Sequence, residues 1–177
     1  MGRGENMETE LQKRKLLRWR NFDYSKSGAY FITICTHEKR NTLSQIVGAI
    51  HESPVPILTE YGKIAETFIK SVPDRFGAMI DQYIIMPNHI HLIISIDNED
   101  DTYADESSRG KRSLLSNIIG FIKMNTSKEI RRRFGETSVW QRGFYDHVIR
   151  NQEDYRAIEK YIRENPLCWQ MGVMNDW

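Results

Sequence analysis

The sequence predicts an α+β fold in which an antiparallel sheet is packed with helices. Short runs rich in β-branched and aromatic residues alternate with longer segments whose apolar residues recur at helical spacing. Two of the apolar runs are separated only by Pro87 and Asn88, a pair typical of a hairpin turn. The chain has 177 residues, 40% of them hydrophobic and 28% charged, which fits one globular domain with modest extensions.

The elements follow one another in a recognisable order. Residues 1–27 are predicted to be a basic arm, 28–169 the domain and 170–177 a short tail. Within the domain we expect a strand at 29–36, a helix at 58–72 closed by Pro73, strands at 78–86 and 89–96, a helix capped by Ser113 and ending near Gly135, an irregular strand at 138–149, and a helix at 152–165 stopped by Pro166. This order matches the ferredoxin-like split β-α-β pattern.

Composition excludes several classes of protein. The two cysteines, Cys35 and Cys168, are far apart and form no CxxC pair, which argues against a disulfide framework and suits a reducing compartment. No apolar run approaches the roughly 20 residues of a membrane span. We therefore expect a cytoplasmic protein with no membrane partner.

The net charge of +1 conceals an uneven distribution. Residues 13–20 carry five cations around Trp19, and residues 109–133 carry eight cations against the single acid Glu129. Six acids lie within residues 97–106. A basic face of this kind is typical of nucleic-acid binding, although solvated helix surface gives the same pattern.

His89 and His91 lie one residue apart within the apolar run "MPNHIHLIIS". In a strand their side chains share one face, with Cα atoms about 6.5–7 Å apart, while Ile90, Leu92 and Ile94 occupy the other face. Two parallel imidazoles can hold one cation, but a half-buried strand with hydrogen-bonded histidines explains the spacing equally well.

The last predicted helix offers partners for this pair. Tyr161 and Asn165 are four residues apart and lie on one side of the helix. Two imidazoles and an amide oxygen suit Mg²⁺ or Mn²⁺ with open positions for phosphate oxygens, and a tyrosine oxygen can attack a phosphorus held there. Tyr155 is the alternative nucleophile on the same helix.

The chain resembles the histidine-hydrophobe-histidine (HUH) single-tyrosine transposases, most closely those associated with REP elements. The likeness rests on "DYSKSGAYFITICT", "MPNHIHLII", "LSNIIGFIKMNTSKEI" and "VWQRGFYDHVIRNQEDYRAIEKYIRENP", in that order. The resemblance implies that His89, His91 and Asn165 bind the metal and that Tyr161 is the nucleophile. It also implies cleavage and rejoining of single-stranded, hairpin-containing DNA through a 5′-phosphotyrosine, by a monomer or homodimer.

Further DNA contacts are predicted less specifically. Cations and one histidine that would suit phosphate binding are Arg18, Arg20, Lys123, Arg142, His147 and Arg150, each of which would look the same as solvated surface or, for His147, as a structural hydrogen-bonding group. The competing function is a ferredoxin-like module that binds single-stranded nucleic acid without chemistry. It is disfavoured because Tyr30 and Phe31 point to opposite faces. Other histidine-based hydrolases are disfavoured because position 93 is isoleucine and HExxH is absent.

Overall fold

A computed structural model describes residues 27–48, 53–97 and 113–173. Most of the predicted basic arm, with Arg18 and Arg20, and the acidic segment beyond Asp97 lie outside these residues. The elements in chain order are β1 (Gly28–Cys35), a 3₁₀ turn (His37–Lys39), β2 (Ser44–Val47), β3 (Val55–Leu58), α1 (Glu60–Lys70), α2 (Val72–Phe76), β4 (Met79–Ile85), β5 (His89–Ile96), α3 (Leu114–Phe134), β6 (Tyr145–Ile149) and α4 (Gln152–Gln170).

The main sheet has four strands in the order β4-β5-β1-β6, and every neighbouring pair is antiparallel. Helix α1 lies between β1 and β4 in the chain, and helix α3 lies between β5 and β6. The two central strands of the sheet, β1 and β5, are the first and third of its four strands in chain order. This is the ferredoxin-like arrangement, and the predicted fold class is confirmed.

The two faces of the sheet are covered by different helices. On one face Tyr30, Ile32, Ile90 and Leu92, all 0% exposed, pack with the apolar sides of α1 and α3. On the other face, residues of the alternate set pack against α4; this second cluster contains Phe31, Ile93, Ile158 and Ile162. Strand alternation therefore directs the odd-numbered residues of β1 and β5, including both histidines, toward α4.

A close backbone contact fixes the start of α1. The Thr59 hydroxyl accepts a hydrogen bond from the Gly62 N–H at 3.3 Å and donates to the carbonyl of Leu43 at 3.0 Å. A Cβ on Gly62 would lie 2.1 Å from the Leu43 carbonyl oxygen. Only glycine lets the first turn of α1 approach the segment before β2 this closely.

Four sequence expectations about element boundaries are wrong, three of them at prolines. Pro54 and Pro56 predict a loop before α1, but Pro56 lies in the β2–β3 hairpin, where it is tolerated because the two-stranded sheet has an edge on each side. The helix expected to run to residue 72 and to be closed by Pro73 ends at Lys70, and Pro73 lies instead in the first turn of α2, where no N–H donor is needed.

The last helix continues through Pro166 to Gln170 instead of stopping there. Burial of the proline ring offsets part of the missing N–H hydrogen bond. The predicted strand at 138–149 is shorter: Gly143 has φ 79°, and only β6 from Tyr145 onward joins the sheet, with Trp140 forming an isolated bridge to Thr36. None of the helices in the described ranges has the length and apolar character needed to cross a bilayer.

Candidate active site

His89 and His91 lie side by side on the face of β5 that α4 covers. The centroids of their rings are 4.5 Å apart. His91 is 3% exposed and packs 5.1 Å from the ring of Phe31 on β1, whereas His89 lies at the strand end and is less enclosed. The two imidazoles thus lie on one face as predicted, but their ring planes are inclined by 65° instead of being parallel.

Hydrogen bonds orient both rings. The Nδ1 of His89 is 2.6 Å from the amide oxygen of Asn88, which can only accept, so Nδ1 carries the proton and Nε2 keeps its lone pair. The Nδ1 of His91 shares a 2.9 Å hydrogen bond with the hydroxyl of Thr33. The Nε2 of His91 is buried and has no hydrogen-bond partner within the described residues. A ring held at one nitrogen with the other left open is the state that a metal-ligating histidine adopts.

Burial keeps both imidazoles neutral. Desolvation lowers the pKa of His89 from 6.5 to about 4, with a hydrogen bond to Asn165 opposing the shift and the charge of Lys39 adding to it. The pKa of His91 is lowered well below 6.5, again chiefly by burial. A neutral imidazole offers the lone pair that a divalent cation requires, so the pair is available as ligands at neutral pH.

One stripe of α4 faces the histidines. The ring centroid of Tyr161 lies 5.2 Å from that of His91 and 6.0 Å from that of Phe31. Asn165, 7% exposed, is hydrogen-bonded to His89, and the ring of Trp169 lies 6.3 Å from His89. These three residues stand four positions apart, so they line one side of the helix. The structure brings Tyr161, Asn165, His89 and His91 together within a single chain.

The residues present suit a divalent cation. No group of three or more His, Cys, Asp or Glu side chains in the described part of the chain is placed to share an ion. Beside the two imidazoles, the amide of Asn165 is a further side chain whose oxygen could act as a ligand. The unpartnered Nε2 of His91 is the clearest sign of fit, because a buried polar atom without a partner costs free energy that a bound ion would offset.

Tyr155 has a different environment. Its hydroxyl donates a 3.5 Å hydrogen bond to Asp81 on β4, and the same carboxylate accepts a bond from Ser95. Burial and the negative charges of Asp81 and Glu159 raise the pKa of Tyr155 above 10, which makes its phenolate harder to form. Between the two tyrosines, the ring beside the histidine pair belongs to Tyr161.

The predicted DNA contacts are scattered. His147 is on the sheet face of the site, paired with Phe31, but its Nε2 bonds the carboxylate of Asp154 at 2.9 Å and ties β6 to the first turn of α4. Lys123 lies on α3, where its ammonium donates to the carbonyls of Gln141 and Gly143.

Two other predicted cations are accessible to solvent. Arg142 is exposed beside Lys123, and Arg150 is exposed at the end of β6. On α3, Arg132 and Arg133 form ion pairs with Glu129 on the surface of the helix. These two cations of the basic run are therefore accounted for without a DNA contact.

Sequence reasoning missed three residues of the site. Thr33 and Asn88 hold the imidazoles, and Trp169 forms the wall beside His89. Alternation along β1 places Thr33 on the same face as Phe31, but only the pairing of Thr33 with His91 in the sheet shows that this is the histidine face. Trp169 was not predicted to lie at the site, because Pro166 was expected to end the helix before it.

Comparison with known proteins identifies relatives. No protein-family model matches the chain. It is 27% identical over 174 residues to an uncharacterized protein of Haemophilus influenzae, covering 93% of this chain and 94% of the relative. It is 28% identical over 156 residues to the REP-associated tyrosine transposase of Escherichia coli, covering 87% and 76%. Its fold is similar to a solved structure of a REP-associated tyrosine transposase bound to a REP hairpin, with a TM-score of 0.58 and 22% identity over 90% of this chain and 76% of that one.

Proposed function

Because the chain is a relative of the REP-associated tyrosine transposases, we propose that it cleaves and rejoins single-stranded DNA through a covalent 5′-phosphotyrosine. One observation carries the proposal: the Tyr161 ring lies 5.2 Å from the ring of His91 in the same chain. A nucleophile beside two neutral imidazoles is compatible with metal-assisted phosphoryl transfer, in which an ion held by the imidazoles would polarise the phosphate under attack.

The substrate is proposed from the solved relative. In its solved structure that protein is bound to a REP hairpin. We infer that this chain also acts on single-stranded DNA that contains a hairpin, in DNA transposition or recombination.

The chemistry of the proposed step balances without an external energy source. The phenolic oxygen of Tyr161 attacks the phosphorus, and the bond from phosphorus to the 3′ oxygen breaks. The proton lost by the phenol is matched by one gained at the released 3′ oxygen, and the 5′ phosphate stays on the tyrosine. Attack by a 3′ hydroxyl in the reverse direction rejoins the strand.

Each residue of the site has a distinct part. A Mg²⁺ or Mn²⁺ ion held by His89, His91 and Asn165 would draw negative charge from the scissile phosphate. Thr33 and Asn88 hold the two imidazoles in place through their Nδ1 atoms, and the acceptor oxygen of Asn88 favours the proton of His89 on Nδ1. The edge of the Tyr161 ring against Phe31 limits where the phenol can point.

A covalent-adduct assay tests the proposal. The protein is incubated with Mn²⁺ and a labelled hairpin oligonucleotide carrying single-stranded flanks, and adducts are resolved on a denaturing gel. Tyr161→Phe should abolish the adduct while retaining hairpin binding. Tyr155→Phe, which removes the matched hydroxyl two turns earlier on α4, should leave the adduct in place. An adduct that persists in Tyr161→Phe and disappears in Tyr155→Phe would reverse the assignment.

The metal requirement is tested in the same assay. EDTA, His89→Ala and His91→Ala should each remove the adduct. Cleavage that is unchanged in EDTA would contradict a metal-dependent step.

The alternative function, a binding module without chemistry, predicts hairpin binding and no adduct in any variant. Strand β1 offers such a module no stacking platform, because Tyr30 is 0% and Phe31 4% exposed and they belong to opposite faces.

A further inference from the structure

The turn that follows β1 has an unusual backbone. Glu38 and Lys39 have φ values of 55° and 52°, and they are the only non-glycine residues with positive φ in the described ranges. Side chains with a Cβ seldom adopt this conformation, and consecutive examples are found where surrounding contacts force them.

The neighbouring contacts do force it. The buried Thr36 hydroxyl donates to the carbonyls of Arg40 at 2.8 Å and Asn88 at 3.0 Å. The guanidinium of Arg40 pairs with Glu136 at 3.3 Å and also donates to the carbonyl of Ser138. Both ends of the turn are thus fixed, and its conformation is imposed on Glu38 and Lys39.

The turn lies at the histidine end of the sheet. Cys35, the last residue of β1, pairs with His89 across the strands, and the Thr36 N–H donates to the Asn88 carbonyl at 2.9 Å. Lys39 ends the turn that follows β1, four residues beyond Cys35, and its side chain is exposed. Among the described residues, no carboxylate lies within ion-pair distance of the Lys39 ammonium, whereas Arg40 is engaged by Glu136.

We propose that the strained turn positions Lys39 as a phosphate-binding residue of the active site, where it contacts the phosphodiester backbone of the bound strand. This inference rests on the function proposed above and adds a DNA-binding residue to it. A cation beside the histidine pair disfavours a second cation when the site is empty of DNA and attracts the anionic strand. Lys39 is therefore expected to weaken binding of the divalent cation and to strengthen binding of the DNA strand.

The opposite signs give the test. Lys39→Gln is compared with Lys39→Arg and with Lys63→Gln, which removes one exposed cation from α1 on the other face of the sheet. Mn²⁺ affinity is measured by calorimetry without DNA. Binding of the fluorescent hairpin oligonucleotide is measured with Mn²⁺ at several salt concentrations, in a Tyr161→Phe background to prevent cleavage.

We expect Lys39→Gln to bind Mn²⁺ about two- to fivefold more tightly, the range for a partly screened charge. It should bind the oligonucleotide more weakly, with the slope of log K against log salt reduced by about 0.7, the value for one phosphate contact on a single strand. Lys39→Arg should restore both quantities, and Lys63→Gln should change neither.

Glycine variants separate backbone strain from charge. Lys39→Gly and Glu38→Gly should each fold with no loss of melting temperature, because glycine adopts positive φ freely. Only Lys39→Gly should reproduce the two effects of Lys39→Gln. A purely structural turn would make both glycine variants behave alike.

The outcomes distinguish this inference from the proposed function. If wild type forms the adduct and Lys39→Gln matches Lys63→Gln in Mn²⁺ affinity and salt slope, the role of Lys39 is overturned and the transferase proposal stands. If wild type forms no adduct while Lys39→Gln still changes Mn²⁺ affinity and salt slope, the nucleophile proposal fails and the role of Lys39 is retained.

Discussion

The low pKa of His89 predicts a specific loss of stability in acid when metal is absent. Burial lowers this pKa to about 4, whereas the unfolded chain titrates near 6.5. Between these values the unfolded state binds the proton and the folded state does not. The free energy of unfolding therefore decreases as the pH falls through this window. His89→Gln removes the titrating group and keeps a polar side chain beside Asn88.

The size of the effect follows from the shift. One such histidine changes the free energy of unfolding by about 1.4 kcal/mol per pH unit inside the window. From pH 7 to pH 5 the integrated loss is about 2 kcal/mol, since the transition near 6.5 is gradual. Wild type should therefore lose about 2 kcal/mol more than His89→Gln over this interval. At pH 7 the variant should be less stable by about 1 kcal/mol, because one hydrogen bond to Asn88 is perturbed.

Urea unfolding in EDTA at pH 7 and pH 5 measures both quantities. Tyr155→Phe serves as the control, because it alters the same helix–sheet contact, keeps His89 and removes no group that titrates in this range. Equal losses for wild type and His89→Gln would show that the folded protein protonates His89 near its ordinary pKa. The imidazole would then lie in a wetter site than the structure describes.

Three further substitutions probe the site and its scaffold. Thr33→Val removes the hydroxyl that holds His91. The Mn²⁺ affinity measured by calorimetry should fall about 10- to 100-fold, and the free energy of unfolding should fall by about 1 kcal/mol. Unchanged Mn²⁺ affinity would mean that packing alone orients the ring. Asn165→Leu should weaken Mn²⁺ binding about tenfold or more, the loss expected when an interaction of about 1.4 kcal/mol is removed. Asn165→Asp should restore the Mn²⁺ affinity, because a carboxylate oxygen is also a suitable ligand. Equal Mn²⁺ binding by both variants would contradict a ligand role for Asn165. Gly62→Ala should lower the free energy of unfolding by about 1–3 kcal/mol in urea titrations, because the added Cβ would lie 2.1 Å from the carbonyl oxygen of Leu43. An unchanged free energy of unfolding would show that α1 can shift away from the segment that contains Leu43.

The central fold was predictable because periodicity reflects burial directly. The alternation around His89 and His91 placed Ile90, Leu92 and Ile94 on the opposite face, and all three are 0% exposed. Helix α3 begins after Ser113 and is capped by Gly135, as its polar flanks indicated.

The errors arose where tertiary contacts override local preference. Pro56 and Pro73 are tolerated because one sits on a sheet edge and the other at a helix start, neither of which short-range patterns reveal. For the site, spacing within one element predicted which residues share a face. It could not show which elements meet, and so Thr33 from β1 was missed.

Matched spacing explains why the site assembles between β5 and α4. Two residues along a strand advance by about 6.6 Å, and four residues along a helix advance by about 6 Å. The helix and strand run in opposite directions here: Tyr161 lies against His91, while Asn165 and Trp169 lie against His89. One turn of α4 therefore covers about the same distance as two residues of β5. As a result, Tyr161 and Asn165 both face the histidine pair.

This match also gives Pro166 a role in the site. A helix that ended at the proline would keep Tyr161 and Asn165 but would lose the turn that carries Trp169 to the open side of His89. Because His89 is at the strand end, water could then reach it from that side, and the desolvation that holds its pKa near 4 would weaken. The low pKa of His89 is thus supported by the continuation of α4 past a residue that usually terminates helices.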